Sequence, residues 1–418
     1  MGIVTGVVSN GYIQPTRAEW DRFRRNASWM RRLYLKQNSK IPGEVLRMIS
    51  DNLPNGILCP GLQHLALTPK FHILPFCRLF LSPNLTEFSL RCFSFAGAEI
   101  PDEAVSSFTS TITELQVSSL QYLQISPGSS QIPSVRSVIS DAVLRCGPPL
   151  TELSVSVPLS DAAVRHIMLL PNLVKWCTKD GPPSVSLMSL SDAFPRLRIL
   201  QLLGEASLEW LPLFGAATRH TSSKQDTHTP SHRGPGQKLK TLDCFRVQVR
   251  VDAAFISPIM LFHGLVNLGL KSSCSGSGGC AFNLMDDNVA EITTALPRLR
   301  NALFGPPCSH NSCQTTVSSL VLLSTRCKDL VYLEIHFNTT NLCNDFEPIP
   351  ENPHLRDLCA LPRCRLQQLS VSNAPIWIGE EDIGPVAAGF LRIFPLLCHI
   401  LGRTSTWVKI SRELCNNR

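Results

Sequence analysis

Leu330-Val331-Tyr332-Leu333-Glu334-Ile335 places three aliphatic residues at the first, fourth and sixth positions of a six-residue stretch. The same cadence recurs as Leu62/Leu65/Leu67, Leu85/Phe88/Leu90, Leu120/Leu123/Ile125, Leu150/Leu153/Val155, Leu197/Leu200/Leu202, Leu265/Leu268/Leu270 and Leu366/Leu369/Val371. Degenerate copies fall between them: Met30/Leu33/Leu35, Leu173/Trp176/Thr178, Leu239/Leu242/Cys244 and Leu299/Ala302/Phe304. Successive copies start 23 to 42 residues apart. In a strand, side chains alternate between two faces, so the fourth and sixth places point together into a core. The third, fifth and seventh places point away from it.

A fixed L-x-x-L-x-L unit of this length is the strand signature of a leucine-rich repeat. One unit cannot bury its apolar face alone, but a stack of units can. Between the strands, helical spacing appears in Asp161 to Leu170, Asp287 to Leu296 and Thr316 to Cys327. Ser160, Asp161, Asp286 and Asp287 stand where N-caps belong. Pro171, Pro195 and Pro297 lead into three of the copies, where proline stops a helix and launches an extended segment. The expectation is an α/β leucine-rich-repeat solenoid, a curved horseshoe with a parallel sheet on its concave face and helices on its convex face. It divides into a lead and basic capping helix at 1–28, the solenoid at 29–412 and a C-terminal tail at 413–418. A polar insertion at 218–238, with no hydrophobic residue in it, interrupts the solenoid and accounts for the longest step between copies.

No apolar run reaches the ~18 residues that a membrane span needs. Met1 to Gln14 shows no basic segment leading into an apolar one, so an intracellular location, cytoplasmic or nuclear, is expected. The sequons at Asn26, Asn84 and Asn338 are then expected to stay unmodified, and the sixteen cysteines to stay reduced. Many fall on core places, such as Cys244 and Cys327, where a thiol acts as a small hydrophobe. Cys274 with Cys280, and Cys308 with His310 and Cys313, are the closest clusters. Neither supplies the four ligands of a structural zinc site. His220, His228 and His232 lie in the polar insertion and read as solvated. The chain contains no phosphate-binding loop, H-E-x-x-H or G-x-S-x-G motif. Glu380, Glu381 and Asp382 read as acids placed before a helix N-terminus. Neither an enzymatic role nor a cofactor is expected.

Between Arg17 and Lys40 lie eight basic and two acidic residues, a local net charge of +6 out of +7 for the whole chain. They interleave with Trp20, Phe23, Ala27 and Met30 at helical spacing and read as the solvated face of an N-terminal helix, with nucleic acid not the expected partner. The third, fifth and seventh places of the copies compose the expected binding face. Arg32, Lys36, His64, Arg91, Lys175, Lys179, Lys271 and His336 give it a basic lean. Glu87, Glu152, Asp243 and Glu334 oppose them, and Tyr122 and Tyr332 offer aromatic anchors. A target carrying an acidic or phosphorylated segment fits such a face.

Three stretches carry a family resemblance: Glu19-Trp20-Asp21-Arg22-Phe23 leading to Arg31-Arg32-Leu33, Cys327-Lys328-Asp329-Leu330 through Asn338, and Ile378-Gly379-Glu380-Glu381-Asp382 followed by Val386, Phe390 to Pro395 and Trp407. In order and spacing they resemble the basidiomycete F-box proteins with irregular leucine-rich repeats, over residues 17 to 412. The resemblance implies the substrate-receptor part of a ubiquitin ligase of the SCF type, a non-catalytic protein that binds a target while other subunits do the chemistry. Members usually begin with an F-box, a small helical module that docks on a Skp-type adaptor bound to a cullin. About thirty residues precede the first copy here, too few for that module. Ile41-Pro42-Gly43-Glu44-Val45-Leu46 echoes its opening but follows the first strand, and it reads as a helix of the repeat. Adaptor and cullin are therefore expected as partners only if an F-box lies upstream of Met1. The alternative is an interaction scaffold unconnected with ubiquitin.

Overall fold

A computed structural model describes residues 15–36, 41–53, 56–92, 101–127, 132–178, 194–203, 239–247, 251–272, 282–305, 314–340, 342, 346, 364–372, 376 and 378–417. The expectations for the insertion at 218–238, for Lys179, and for Cys274, Cys280, Cys308, His310 and Cys313 lie outside the described residues. The chain divides into two compact units, 1–150 and 151–418.

The first unit runs α1 (Arg17–Ser28), β1 (Arg32–Leu35), α2 (Gly43–Asp51), β2 (His64–Leu67), a 3₁₀ segment (Phe71–Phe80), β3 (Glu87–Arg91), α3 (Asp102–Glu114), β4 (Tyr122–Ser126) and α4 (Pro133–Leu144). Its strands pair in chain order, all parallel. Register aligns equal places of successive copies: Leu33, Leu65, Phe88 and Leu123 form one row, and Leu35, Leu67, Leu90 and Ile125 the next. Leu65, Leu67, Phe88, Leu90, Leu123 and Ile125 are all buried, whereas Leu33 is only half-buried. β1 pairs with β2 and, among the described residues, with nothing on its other side.

The second unit runs β5 (Glu152–Val155), α5 (Asp161–Leu169), β6 (Lys175–Thr178), β7 (Ile199–Leu203), β8 (Thr241–Val247), α6 (Ala253–Ile256), a 3₁₀ turn (Ile259–Leu261), β9 (Asn267–Ser272), α7 (Asp286–Ala295), β10 (Asn301–Phe304), α8 (Val317–Arg326), β11 (Tyr332–Ile335), β12 (Gln368–Ser372), α9 (Ile383–Ile393), β13 (His399–Gly402) and α10 (Ser405–Asn416). These nine strands also pair in chain order and parallel. Parallel neighbours in sequence order require a crossover between each pair, and where the connection is described it carries a helix or a 3₁₀ segment. Within each unit the result is a parallel α/β, solenoid-like fold. Leu200, Leu202, Leu268, Leu270, Leu333, Ile335, Leu369 and Val371 are buried, as their places predict. The degenerate copies bury Trp176, Thr178, Cys244, Ala302 and Phe304 at the same places.

Local chemistry explains the joints. Ser160 caps α5, its hydroxyl accepting the Ala163 N–H at 3.3 Å. The other predicted cap is corrected: Asp286 is the first residue of α7 rather than its cap. Its carboxylate turns to the next helix, accepting the Thr316 N–H at 2.8 Å, the Thr316 hydroxyl at 2.7 Å and the Ser319 hydroxyl. At Phe194-Pro195, Phe194 has φ of 55°, a left-handed conformation that is rare for a bulky residue. Its ring stacks on the buried Trp176 at 5.3 Å, and the residue is 1% exposed.

The C-terminal end departs from the expected pattern in two ways. A thirteenth strand, β13, has Leu397 and Ile400 at the first and fourth places of its copy, but its sixth place is Gly402. A side chain there would meet the Trp407 ring at 2.5 Å, so the indole of α10 fills the place that a core aliphatic holds elsewhere. The tail expected at 413–418 is instead the end of α10 as far as Asn416. Trp407, Ile410 and Leu414 on α10 are fully buried, and they close the apolar end of the sheet.

Candidate protein-binding face

The third, fifth and seventh places form the open face of each sheet. In the first unit the third places read Arg32, His64, Glu87 and Tyr122 across the strands, and the fifth places Tyr34, Ala66, Ser89 and Gln124. The seventh places are Lys36, Thr68, Arg91 and Ser126. Arg32, Lys36 and Arg91 are exposed, and Tyr34 is 61% exposed. His64 Nδ1 lies 2.7 Å from Glu87 Oε2. The side-chain oxygen of Gln124 accepts from Ser89 Oγ at 2.9 Å, Tyr122 OH at 2.9 Å, Arg91 Nε at 2.9 Å and Arg91 Nη2 at 2.8 Å. Gln124 thus organises the centre of this face, a role its sequence position did not advertise.

In the second unit the acids and bases meet each other. Lys175 pairs with Glu152 at 3.5 Å, one strand away. Lys271 on β9 reaches across β10 to both carboxylate oxygens of Glu334 on β11, each at 3.0 Å. The Tyr332 hydroxyl lies 3.4 Å from the same carboxylate. Gln201 donates to Asp243 at 3.1 Å, and Asp243 lies over Gly269, where an added side chain would meet its Oδ1 at 2.8 Å. Burial raises the Asp243 carboxyl above its ordinary value, against the lowering effect of Gln201, Lys271 and Lys175. Burial, then the Glu334 charge, raises the Tyr332 phenol. A second polar row crosses the third places: Asn301 donates to Asn267 at 2.6 Å, and Asn267 to Thr241 at 2.8 Å. The recurrence of Asn at the third place of consecutive copies was the available signal for that row.

Of the expected binding residues, Arg32, Lys36, His64, Arg91 and Tyr122 lie on the first sheet's open face, and Lys175, Lys271, Tyr332 and Glu334 on the second's. His336 does not belong with them. It is 2% exposed. The chain entering α8 runs over it: the Thr315 hydroxyl donates to the His336 carbonyl at 2.7 Å, and the Asn338 N–H to the Thr315 carbonyl at 2.8 Å. Its imidazole is pushed below the ordinary value by desolvation. Cys177, at a fifth place, is also buried, at 7% exposure. The bases and acids of the expected mixed face are unevenly divided. On the first face three cations stand against one carboxylate. On β5 to β12 two lysines stand against three, among the described residues.

Among the described residues no group of three or more His, Cys, Asp or Glu side chains could hold a metal ion. No described helix is long and apolar enough to cross a membrane. No family model matches the chain, and a search of curated proteins finds no match to it.

Proposed function

We propose that the chain is a leucine-rich-repeat protein that recognises other proteins through the open face of its sheet, without catalysis of its own. The observation that supports this is the division of labour along each strand. In most copies the first, fourth and sixth places are apolar and buried, while the places between them vary from copy to copy and present charged, amide and phenolic groups on an in-register backbone. Exposed aromatic and charged side chains on such a scaffold suit a protein interface. The resemblance to the F-box group extends the proposal: the target would be presented to a ubiquitin ligase for which this chain is the receptor. Affinity capture from the native source tests both levels. Partners retained by the wild-type chain and lost on substitution of sheet-face residues support recognition through that face. Calorimetric binding of a purified Skp-type adaptor supports the receptor role. Absence of adaptor binding, with partner capture intact, favours a scaffold outside the ubiquitin system.

A further inference from the structure

The two sheet faces carry charge differently, and the difference narrows what the proposed recognition face can bind. In the second unit both described lysines of the open face are consumed by neighbouring carboxylates. In the first unit Arg32, Lys36 and Arg91 have no acidic partner within ion-pair distance among the described residues, because the one acid of that face, Glu87, faces His64. Arg91 is held by Gln124 through its Nε and Nη2 hydrogens. A guanidinium has five N–H donors in a planar fork, so the Nη1/Nη2 edge of Arg91 stays open for a carboxylate.

The cations are spread rather than convergent. Arg32 opens β1 and Lys36 follows its last residue, four residues on, about 13 Å at the rise of a parallel strand. Lys36 and Arg91 are two strands apart, roughly 10 Å at the spacing of paired strands. A single anion cannot touch all three, whereas an extended segment with several acidic side chains can. Between the cations lie the exposed Tyr34 ring and Ala66. The small Ala66 leaves the middle of the face low beside an aromatic wall.

We propose that the open face of the first unit, through Arg32, Lys36 and Arg91 with Tyr34 between them, binds a protein segment bearing two or more Asp or Glu side chains. The proposal rests on the sheet-face reading above and assigns that reading's partner chemistry to one unit.

The test uses the full chain on an array of degenerate dodecapeptides. The central positions are fixed as alternating Glu, alternating Ser, alternating phosphoserine or alternating Lys, and oligouridine RNA serves as a competitor. Retention of the Glu series over the Ser and Lys series is expected. It should fall at least fivefold in Arg91→Glu and in Lys36→Glu, and remain within twofold in Lys175→Glu and Lys271→Glu. Arg91→Lys, which keeps the charge but loses the fork, should retain an intermediate level. Thermal midpoints identify any variant that fails to fold, and Lys36→Glu, at an exposed position, keeps the test decisive if Arg91→Glu does not. Four results would each overturn the proposal: no Glu-dependent retention, retention of the phosphoserine series alone, displacement by oligouridine, or retention indifferent to Arg91 and Lys36. If retention is instead abolished by Tyr332→Ala in the second unit, the acidic-segment site is refuted while recognition through the sheet face stands.

Discussion

The Asp286 carboxylate accepts the backbone N–H of Thr316 at 2.8 Å, although the two residues begin different helices. Asp286 opens α7 and Thr316 caps α8, so one carboxylate holds the backbone N–H and hydroxyl of the next helix's cap residue and the hydroxyl of Ser319, and ties the two helices together. Helix N-termini favour a nearby negative charge. Asp286→Ala should therefore destabilise the second unit by about 0.5–2 kcal/mol, the range of a lost N-cap. Asp286→Asn, which still accepts hydrogen bonds, should cost less. Urea unfolding of the three proteins orders them.

The core rows make a sharper prediction. Leu268 and Leu333 are fully buried, each at the fourth place of a strand paired on both sides. Leu268→Ala or Leu333→Ala should cost about 2–5 kcal/mol, from lost transfer energy and the cavity left behind. Ser370→Ala, on the open face of the next strand, should change stability little.

At the C-terminal end Gly402 and Trp407 form a complementary pair. Trp407→Ala should cost about 3–5 kcal/mol, as expected for deleting a buried indole. Gly402→Val should cost about 1–3 kcal/mol by overpacking against the same ring. In the double variant the valine occupies the space the indole leaves, so the two costs should fall short of additivity. A double-mutant cycle from denaturant midpoints measures that coupling.

Two groups set opposite pH slopes. His336 has a folded value below its ordinary 6.5, so the unfolded chain binds its proton more readily. Its contribution is present above that value and is lost as pH falls through 6.5 toward the depressed one. Asp243 has a folded value above its ordinary 3.8, so the folded chain binds the proton more readily. Its contribution is present below 3.8 and is lost as pH rises through the elevated value. His336→Gln should flatten stability just below pH 6.5. Asp243→Asn should raise the thermal midpoint at pH 7 and leave it nearly unchanged below pH 3.8.

The strands were legible in the sequence because their signal is steric and periodic: Leu333 and Ile335 are buried in β11 for the reason that their spacing declares. β13 escaped notice because Gly402 breaks the cadence, and its missing side chain is supplied by Trp407, five residues on. The binding face was legible as a set of positions but not as a charge pattern. Which base meets which acid depends on register across strands, as when Lys271 passes over β10 to Glu334. His336 shows the other limit. Alternation placed it outside, but the strand had ended and the chain around Thr315 covered it. Asp286 was recognisable as a capping residue, while the helix it serves is fixed only by the stacking of turns.

Cysteine chemistry follows from burial. Cys92, Cys146 and Cys327 are buried thiols pushed up to about 12 by desolvation, and Cys59 and Cys364 to about 11. The thiolate is the reactive form. Under native conditions at pH 7.5, iodoacetamide should modify Cys415, which is exposed, well before any of these five. Peptide mapping by mass spectrometry reads the order.

The central claim is that partners dock on the open face of the sheet. The most direct measurement is quantitative affinity capture with three forms of the chain: wild type, the face variant Arg91→Glu/Tyr332→Ala, and the helix-face variant Arg165→Glu/Glu291→Lys, whose two positions are exposed on α5 and α7. All three should show similar thermal midpoints. The account predicts that proteins enriched by the wild type are lost from the face variant and kept by the helix-face variant. Retention by the face variant together with loss from the helix-face variant would contradict it.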